Sequence, residues 1–500
     1  MRQARGAPEL RHLGRLFMAP VPRDRAALRA LDEARVPHCI VFRRDFAGLP
    51  ALRQLNARLI ARAARLGLGP PLLALDEEGG LVSQLRAAAW ESPGPRVLAR
   101  GGDAALARAS GRAVARALRS LGFNLNFAPV ADVDTARNSP VIGARAVSGD
   151  PAEVARWCAA WIHAHQAAGV AATGKHFPGH GAAEADSHLT LPEVRRPRAL
   201  LKRLDLPPFL AAARAGVAAV MTAHVRYPEL DPGRAATFSP RILGLLRGPL
   251  GFAGLVVTDS LEMAGARGAR SGEEAVRALL AGCDLLLYAA PGDRWQAGWR
   301  AVQAAVRAGR VAPARVEEAL ARGLQVATAY RARPARRAAA PGAGLRRAWD
   351  RAARAALYFS GLAPGAPAGV EVFGRGPQAA ELAAALRRHG VDARPAEAGP
   401  GSGRRAGRSG RRSGRPMAIL VLPGRTGWER AEAAWTGRWR AAGRPFGVVS
   451  LLSPRRLEEP PARGAIFVAC PFEDTHRALE AVAARVAEAP PRAARRASRH

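Results

Sequence analysis

Five hundred residues are more than one ordinary core accommodates, so the chain is expected to form more than one domain. Apolar residues make up 48% of it, enough to bury large cores and too many for a disordered protein. The formal charge of +35 would suit a nucleic-acid binder. However, the cations are almost all arginine, with lysine only at Lys175 and Lys202, and they are scattered without interleaved aromatics, so no nucleic-acid partner is expected.

The first twenty residues are punctuated by arginines and hold no continuous apolar stretch, so no signal peptide is expected. From Leu16 onward, short apolar runs alternate with longer helical stretches rich in alanine and arginine. The runs are Leu16–Ala19, Cys39–Phe42, Leu72–Leu75, Leu125–Val130, Val170–Thr173, Ala218–Thr222, Leu255–Thr258 and Leu285–Tyr288. Continuous apolar runs are what parallel strands covered on both faces require, and strand–helix alternation implies βαβ units. Eight units predict a (β/α)₈ TIM barrel, although a doubly wound sheet produces the same alternation.

The polar residues separate the two folds. Asp76 follows the third run, Lys175 and His176 the fifth, His224 the sixth and Asp259 the seventh. A barrel gathers the C-terminal ends of its strands around one opening, whereas an open sheet would keep these residues apart. His224 is a candidate for the wall of that opening.

Helical sequence continues through Val316–Tyr330, and Arg331–Arg347 is rich in Pro, Gly and Arg. The expected organisation is a catalytic barrel over 1–335, a linker over 336–349, a small α/β sandwich-like domain over 350–488 and an Arg-rich tail over 489–500. The second domain rests on the runs Val370–Phe373, Ala418–Leu422, Phe446–Leu451 and Ile466–Ala469, and no residue in it marks a catalytic group. Gly399–Pro416 is a low-complexity Gly/Ser/Arg loop. Cys39, Cys158, Cys283 and Cys470 lie far apart with no metal spacing and read as reduced thiols. No apolar run approaches the roughly 20 residues that span a bilayer. The expectation is a soluble, cytoplasmic protein with no membrane partner.

Three segments carry candidate chemistry. In Thr173–Gly181, a strand end runs into a Gly/Pro-rich loop, followed by Asp186-Ser-His188. A carboxylate beside an imidazole favours the imidazolium and orients the ring, giving a proton donor near neutral pH. Alone, this pattern is equally a surface ion pair or a metal site. Asp259 ends a buried strand, where an idle carboxylate is costly, but an Asp at that place also caps helices. Asp76 carries the same ambiguity, and the glycines after it suggest close backbone approach to something.

Taken together, the segments resemble glycoside hydrolase family 3. The resemblance rests on Asp76-Glu-Glu-Gly-Gly80, Asn126-Phe-Ala-Pro-Val-Ala-Asp132, Ile142-Gly-Ala-Arg145, Lys175-His-Phe-Pro-Gly-His180, Asp186-Ser-His188 and Val257-Thr-Asp-Ser-Leu-Glu-Met263, in the family's order and spacing. The Asp-Ser-His loop is similar to that of the β-N-acetylglucosaminidase branch. The resemblance implies that Asp259 is the nucleophile, His188 the general acid/base and Asp186 its partner. It also implies that Asp76, Arg145, Lys175 and His176 hold the hydroxyls of the innermost sugar.

The implied reaction is retaining double displacement with no metal and no cofactor, the Asp186–His188 dyad replacing the usual carboxylic acid. The implied substrate is a small carbohydrate or muropeptide carrying terminal β-linked N-acetylglucosamine. One departure stands out: Gln84 occupies the place where the family has arginine. Glutamine hydrogen-bonds but lacks the charge and the fork. Two other functions fit the same residues: a phosphorylase, with phosphate in place of water, or a sugar-binding protein without catalysis.

Overall fold

The computed structural model describes residues 10–86, 92–136, 139, 141–187, 189–266, 270–334 and 340–356. Beyond these it describes 358–360, 370–373, 377–388, 391, 393–395, 417–422, 446–450, 467–470, 479, 482, 483 and 486. His188, the loop 399–416 and the tail 489–500 lie outside the described residues. The chain divides into two compact units, Met1–Ser92 with Gly102–Leu345, and Pro93–Gly101 with Arg346–His500.

The first unit is a (β/α)₈ barrel. Its strands are β1 (Phe17–Pro20), β2 (His38–Ile40), β3 (Leu73–Leu75), β4 (Leu125–Asn126), β5 (Ala171–Phe177), β6 (Ala219–Thr222), β7 (Leu255–Val257) and β8 (Leu286–Leu287). Each of the eight apolar runs thus overlaps a strand. All neighbours are parallel, in the order β7-β6-β5-β4-β3-β2-β1-β8. A parallel bridge from Val257 to Leu285 sets the two end strands side by side and closes the ring.

Alternate residues of every strand meet in one apolar cluster, among them Met18, Ile40, Ala74, Leu125, Ala171, Met221, Leu255 and Leu287. Side chains of opposite strands share a cluster only inside a closed ring, so these residues fill the lumen. Each large aliphatic side chain buried there contributes about 1.5–3 kcal/mol. Val326 and Ala327 of the last barrel helix, Pro313–Ala329, join the same cluster.

The helices start where their sequences direct. Asp24, Asp103, Asp150 and Ser239 each accept a backbone N–H of the first turn. Proline opens Pro151–Ala167, Pro207–Arg214 and Pro240–Arg247, where its missing N–H costs nothing.

The second unit holds a six-stranded sheet of β9 (Tyr358–Ser360), β10 (Val370–Phe373), β11 (Ala393–Pro395), β12 (Met417–Leu422), β13 (Phe446–Ser450) and β14 (Phe467–Cys470). The order is β9-β14-β13-β12-β10-β11, parallel except for β9 at one edge. Val372 and Ile419 pack with Leu382 and Leu386 of the helix Pro377–Arg388. The stretch read as a linker is helical from Ala343 onward, through Ala356.

Candidate active site

The polar residues singled out above sit at or just past the C-terminal ends of the barrel strands. Asp76 follows β3, Lys175 and His176 lie in the last half of β5, and Asp259 is two residues beyond β7. The ends of different strands are neighbours only because the ring is closed.

Lys175 is fully buried, and its ammonium contacts Asp76 Oδ1 at 2.7 Å and Glu78 Oε1 at 2.6 Å. Arg145 grips Glu78 with both arms, Nη2 to Oε1 at 2.6 Å and Nε to Oε2 at 2.9 Å. Glu78 therefore ties together two cations that lie 67 and 97 residues away in sequence. Burial alone would raise its carboxyl, but Arg145 and Lys175 overcome that and hold it at about 2. Burial likewise works against the Lys175 ammonium, yet Asp76 and Glu78 leave it above its ordinary value. Both partners are charged at neutral pH.

The residues Asp76, Glu77 and Glu78 alternate across an extended chain, so the first and third share a face. Glu77 points the other way, where its Oε2 accepts the N–H groups of Gln84 and Leu85 at 2.9 and 3.1 Å. Its burial pushes it up to about 8 against these hydrogen bonds.

Asp132 organises the next strand end. Its Oδ2 meets His176 Nδ1 at 2.7 Å, and its Oδ1 accepts the His176 and His180 N–H groups at 3.1 and 2.6 Å. That fixes the orientation of the His176 ring. Glycines flank the second histidine, Gly179 before it and Gly181 after it. Gly179 has φ of +134°, and a Cβ on Gly181 would lie 2.0 Å from the Val133 carbonyl oxygen, so glycine is required there. Tyr227 donates its hydroxyl to the Gly179 carbonyl at 2.5 Å.

Asp259 is partly exposed at the opening. Desolvation would raise its carboxyl, but His176, His224, the Ser260 N–H and Lys175 together leave it below its ordinary value. The Ser260 N–H donates to Asp259 Oδ1 at 2.7 Å. The residue thus stays an anion in a largely dry setting. The turn after it is fastened by Glu262, whose Oε2 accepts from Ser260 Oγ and from the Ala289 and Ala290 N–H groups beyond β8.

Asp186 is half-buried, and its carbonyl receives the Leu189 and Thr190 N–H groups at 3.0 Å each. His224, a candidate for the wall of the opening, is fully buried. Its Nδ1 pairs with Thr237 Oγ1 at 2.8 Å and its Nε2 with the Ser260 carbonyl at 3.0 Å, so neither ring nitrogen is left for a ligand. Gln84 turns its Oε1 to the Arg43 N–H at 2.8 Å, linking the loops after β3 and β2. Among the described residues no group of three or more His, Cys, Asp or Glu is placed to hold a metal ion. Cys39, Cys158 and Cys283 are buried free thiols. No helix among the described residues is long and apolar enough to cross a membrane.

Residues 11–326 match the glycosyl hydrolase family 3 N-terminal domain. The chain belongs to glycosyl hydrolase family 3. It is a glycoside hydrolase, and its substrate is a carbohydrate. This family 3 chain is 43% identical to a β-hexosaminidase of Pseudomonas aeruginosa over 265 residues, covering 52% of the chain and 76% of that protein. A β-hexosaminidase of Chromobacterium violaceum is 39% identical over 274 residues, 52% of the chain and 75% of the relative. A solved family 3 β-N-acetylglucosaminidase from a Paenibacillus species superposes with a TM-score of 0.80 at 29% identity. It covers 96% of this chain and 97% of its own.

The site of the family 3 enzyme includes groups that the sequence reading passed over. Glu78 was signalled by alternation with Asp76 on one side of an extended strand. Asp132 ends the segment Asn126–Asp132, and nothing in its spacing announces that His176 and His180 share it.

Proposed function

We propose that this family 3 hydrolase is a retaining exo-β-N-acetylglucosaminidase that releases terminal β-linked N-acetylglucosamine. Its substrates are peptidoglycan fragments of the N-acetylglucosaminyl-anhydromuramoyl peptide type, and it works in the cytoplasm. The observation that carries the reading is an ionised Asp259 sharing one opening with Asp76, Lys175, Arg145 and His176. Charged hydrogen-bonding groups locked to one another present a fixed pattern to sugar hydroxyls, which lowers the ordering cost of binding.

In this reading Asp259 attacks the anomeric carbon while His188 gives its proton to the glycosidic oxygen, and the bond to the aglycone breaks. His188, now neutral, takes a proton from water as that water attacks the glycosyl-enzyme. The sugar leaves with its configuration retained and Asp259 returns as carboxylate. Asp186 stabilises the imidazolium needed for the first step. No metal or cofactor takes part, and 346–500 supplies no reacting group.

The test compares hydrolysis of chromogenic N-acetyl-β-glucosaminide and β-glucoside, with and without phosphate. Preference for the acetamido sugar, with free sugar as product under both conditions, is expected. Equal or reversed rates refute the substrate, and sugar 1-phosphate refutes hydrolysis. Asp259→Ala is expected to fold and to lose nearly all kcat, and azide is expected to restore turnover with inverted product. Substantial residual activity without azide assigns the attack to another group.

A further inference from the structure

Ser187 lies between the two members of the proposed dyad, and it is only 1% exposed although Leu189, two residues on, is 75% exposed. Two contacts hold it. His180 Nε2 meets Ser187 Oγ at 3.0 Å, and the Gly265 N–H, from the turn after β7, donates to the Ser187 carbonyl at 3.2 Å. A Cβ on Gly265 would sit 3.0 Å from the His224 carbonyl oxygen and 3.2 Å from that of Thr190, so this turn fits closely against the loop.

His180 is itself firmly placed. Its N–H donates to Asp132 Oδ1, the carboxylate that also orients His176, and the two rings meet edge to face with centroids 5.8 Å apart. Its Nδ1 is buried without a hydrogen-bond partner among the described residues. A buried polar atom left unpaired has a cost. An apolar side chain of similar shape would fill the space without it, so simple packing does not explain an imidazole here. Burial lowers the ring to about 4, against which Asp132 only partly acts, so at neutral pH it is an uncharged partner for the serine hydroxyl.

We propose that His180 is a positioning residue for proton transfer. Through Ser187 Oγ it pins the middle of Asp186-Ser-His188 to the end of β5, while Gly265 pins the same residue to the turn behind Asp259. The dyad segment is thereby tied, through Ser187, to the same turn that follows Asp259. His180 touches neither sugar nor reacting atoms and acts only through the serine. The inference rests on the dyad reading above.

The experiment measures kcat/KM and thermal stability for wild type, His180→Ala, His180→Gln, Ser187→Ala and the double alanine variant. The substrates are a dinitrophenyl and an alkyl N-acetyl-β-glucosaminide. His188→Ala serves as reference. A misplacement of about 1 Å costs up to about 10²-fold, so His180→Ala and Ser187→Ala are expected to lose about 10–100-fold on the alkyl glycoside. Their loss on the dinitrophenyl compound is expected to be under about 3-fold, because that leaving group needs little proton donation.

The two single losses should not multiply in the double variant, since both remove one hydrogen bond. His180→Gln, whose amide N–H still reaches a hydroxyl, is expected to recover much of the alkyl activity. Ser187→Ala removes a single oxygen and keeps the test open if His180→Ala does not fold. A folded Ser187→Ala with the wild-type ratio between substrates overturns the proposal, as do losses that multiply. If His188→Ala itself shows no dependence on the leaving group, the dyad reading fails and the positioning role falls with it.

Discussion

Replacing Glu78 with glutamine tests how the sugar-side lattice is held together. The carboxylate is fully buried and faces Arg145 and Lys175, so the substitution leaves Lys175 with Asp76 alone and takes from Arg145 its carboxylate ion pair. A carboxyl lowered from an ordinary 4.5 to about 2 contributes about 3 kcal/mol at neutral pH, at about 1.4 kcal/mol per tenfold change in proton affinity. Removing one partner of a buried ion pair costs about 3–5 kcal/mol, the same scale. A loss of about 3 kcal/mol should lower the Tm of the barrel by roughly 5–10 °C.

The sign follows from the folded state holding the anion. The stabilisation is complete above the unfolded value of 4.5 and disappears as pH falls through about 2. Thermal unfolding of wild type and Glu78→Gln is therefore compared between pH 7 and pH 3. The gap in Tm should be constant from pH 7 to about 5 and should narrow below that. Since Lys175 and Arg145 lose their shared anchor, kcat/KM should also fall by more than about 10-fold. Equal Tm values at pH 7, or a gap that persists unchanged into acid, would refute the claim that Glu78 organises the lattice by charge.

At the opposite end of the barrel, Asp284 precedes β8 and accepts from Arg247 at 2.6 Å, Arg322 at 3.1 Å, Arg315 and the Val256 N–H at 2.9 Å. Asp284→Asn should cost about 3–5 kcal/mol, seen as a lower denaturant midpoint, while kcat/KM at 25 °C stays near wild type. Gly181→Ala must move the backbone, because the new Cβ overlaps the Val133 carbonyl. Activity on an alkyl glycoside should drop severely with the far-UV spectrum unchanged. Gln84→Arg should alter KM more than kcat on the N-acetyl-β-glucosaminide, since the wild-type side chain is tied to the Arg43 N–H and an arginine brings a charge.

The barrel was legible because parallel strands covered on both faces need unbroken apolar runs, and each run brought its own strand. Boundaries shifted by a few residues: Lys175-His-Phe reads as loop yet continues β5, since polar residues are tolerated in a strand that ends at an opening. In the second unit β9 and β11 escaped notice. Tyr358–Ser360 and Ala393–Pro395 are three-residue strands at the two sheet edges, where pairing on one side demands little apolar sequence. The individual site residues were readable from motif and strand position, whereas their couplings were not. Glu78 with Arg145, and Asp132 with His176 and His180, are contacts across dozens of residues that no local spacing encodes.

The same couplings bear on which nucleophile completes the reaction. Across the whole chain the charge is +35, which would draw an anion such as phosphate toward the surface. Locally the balance is reversed. The described strand ends bring the carboxylates of Asp76, Glu78, Asp132 and Asp259 together with the fixed cations Lys175 and Arg145, and both cations are already engaged by Asp76 or Glu78. A phosphate approaching the anomeric carbon would meet excess negative charge in a desolvated setting where Coulomb repulsion is poorly screened. Water carries no such penalty. A neutral sugar also fits, since hydroxyls donate to carboxylates and accept from the ammonium and guanidinium without leaving an unpaired charge. The arginine-rich surface and the acid-rich opening thus answer to different constraints, and the charge balance of the opening supports the proposed hydrolysis over release by phosphate.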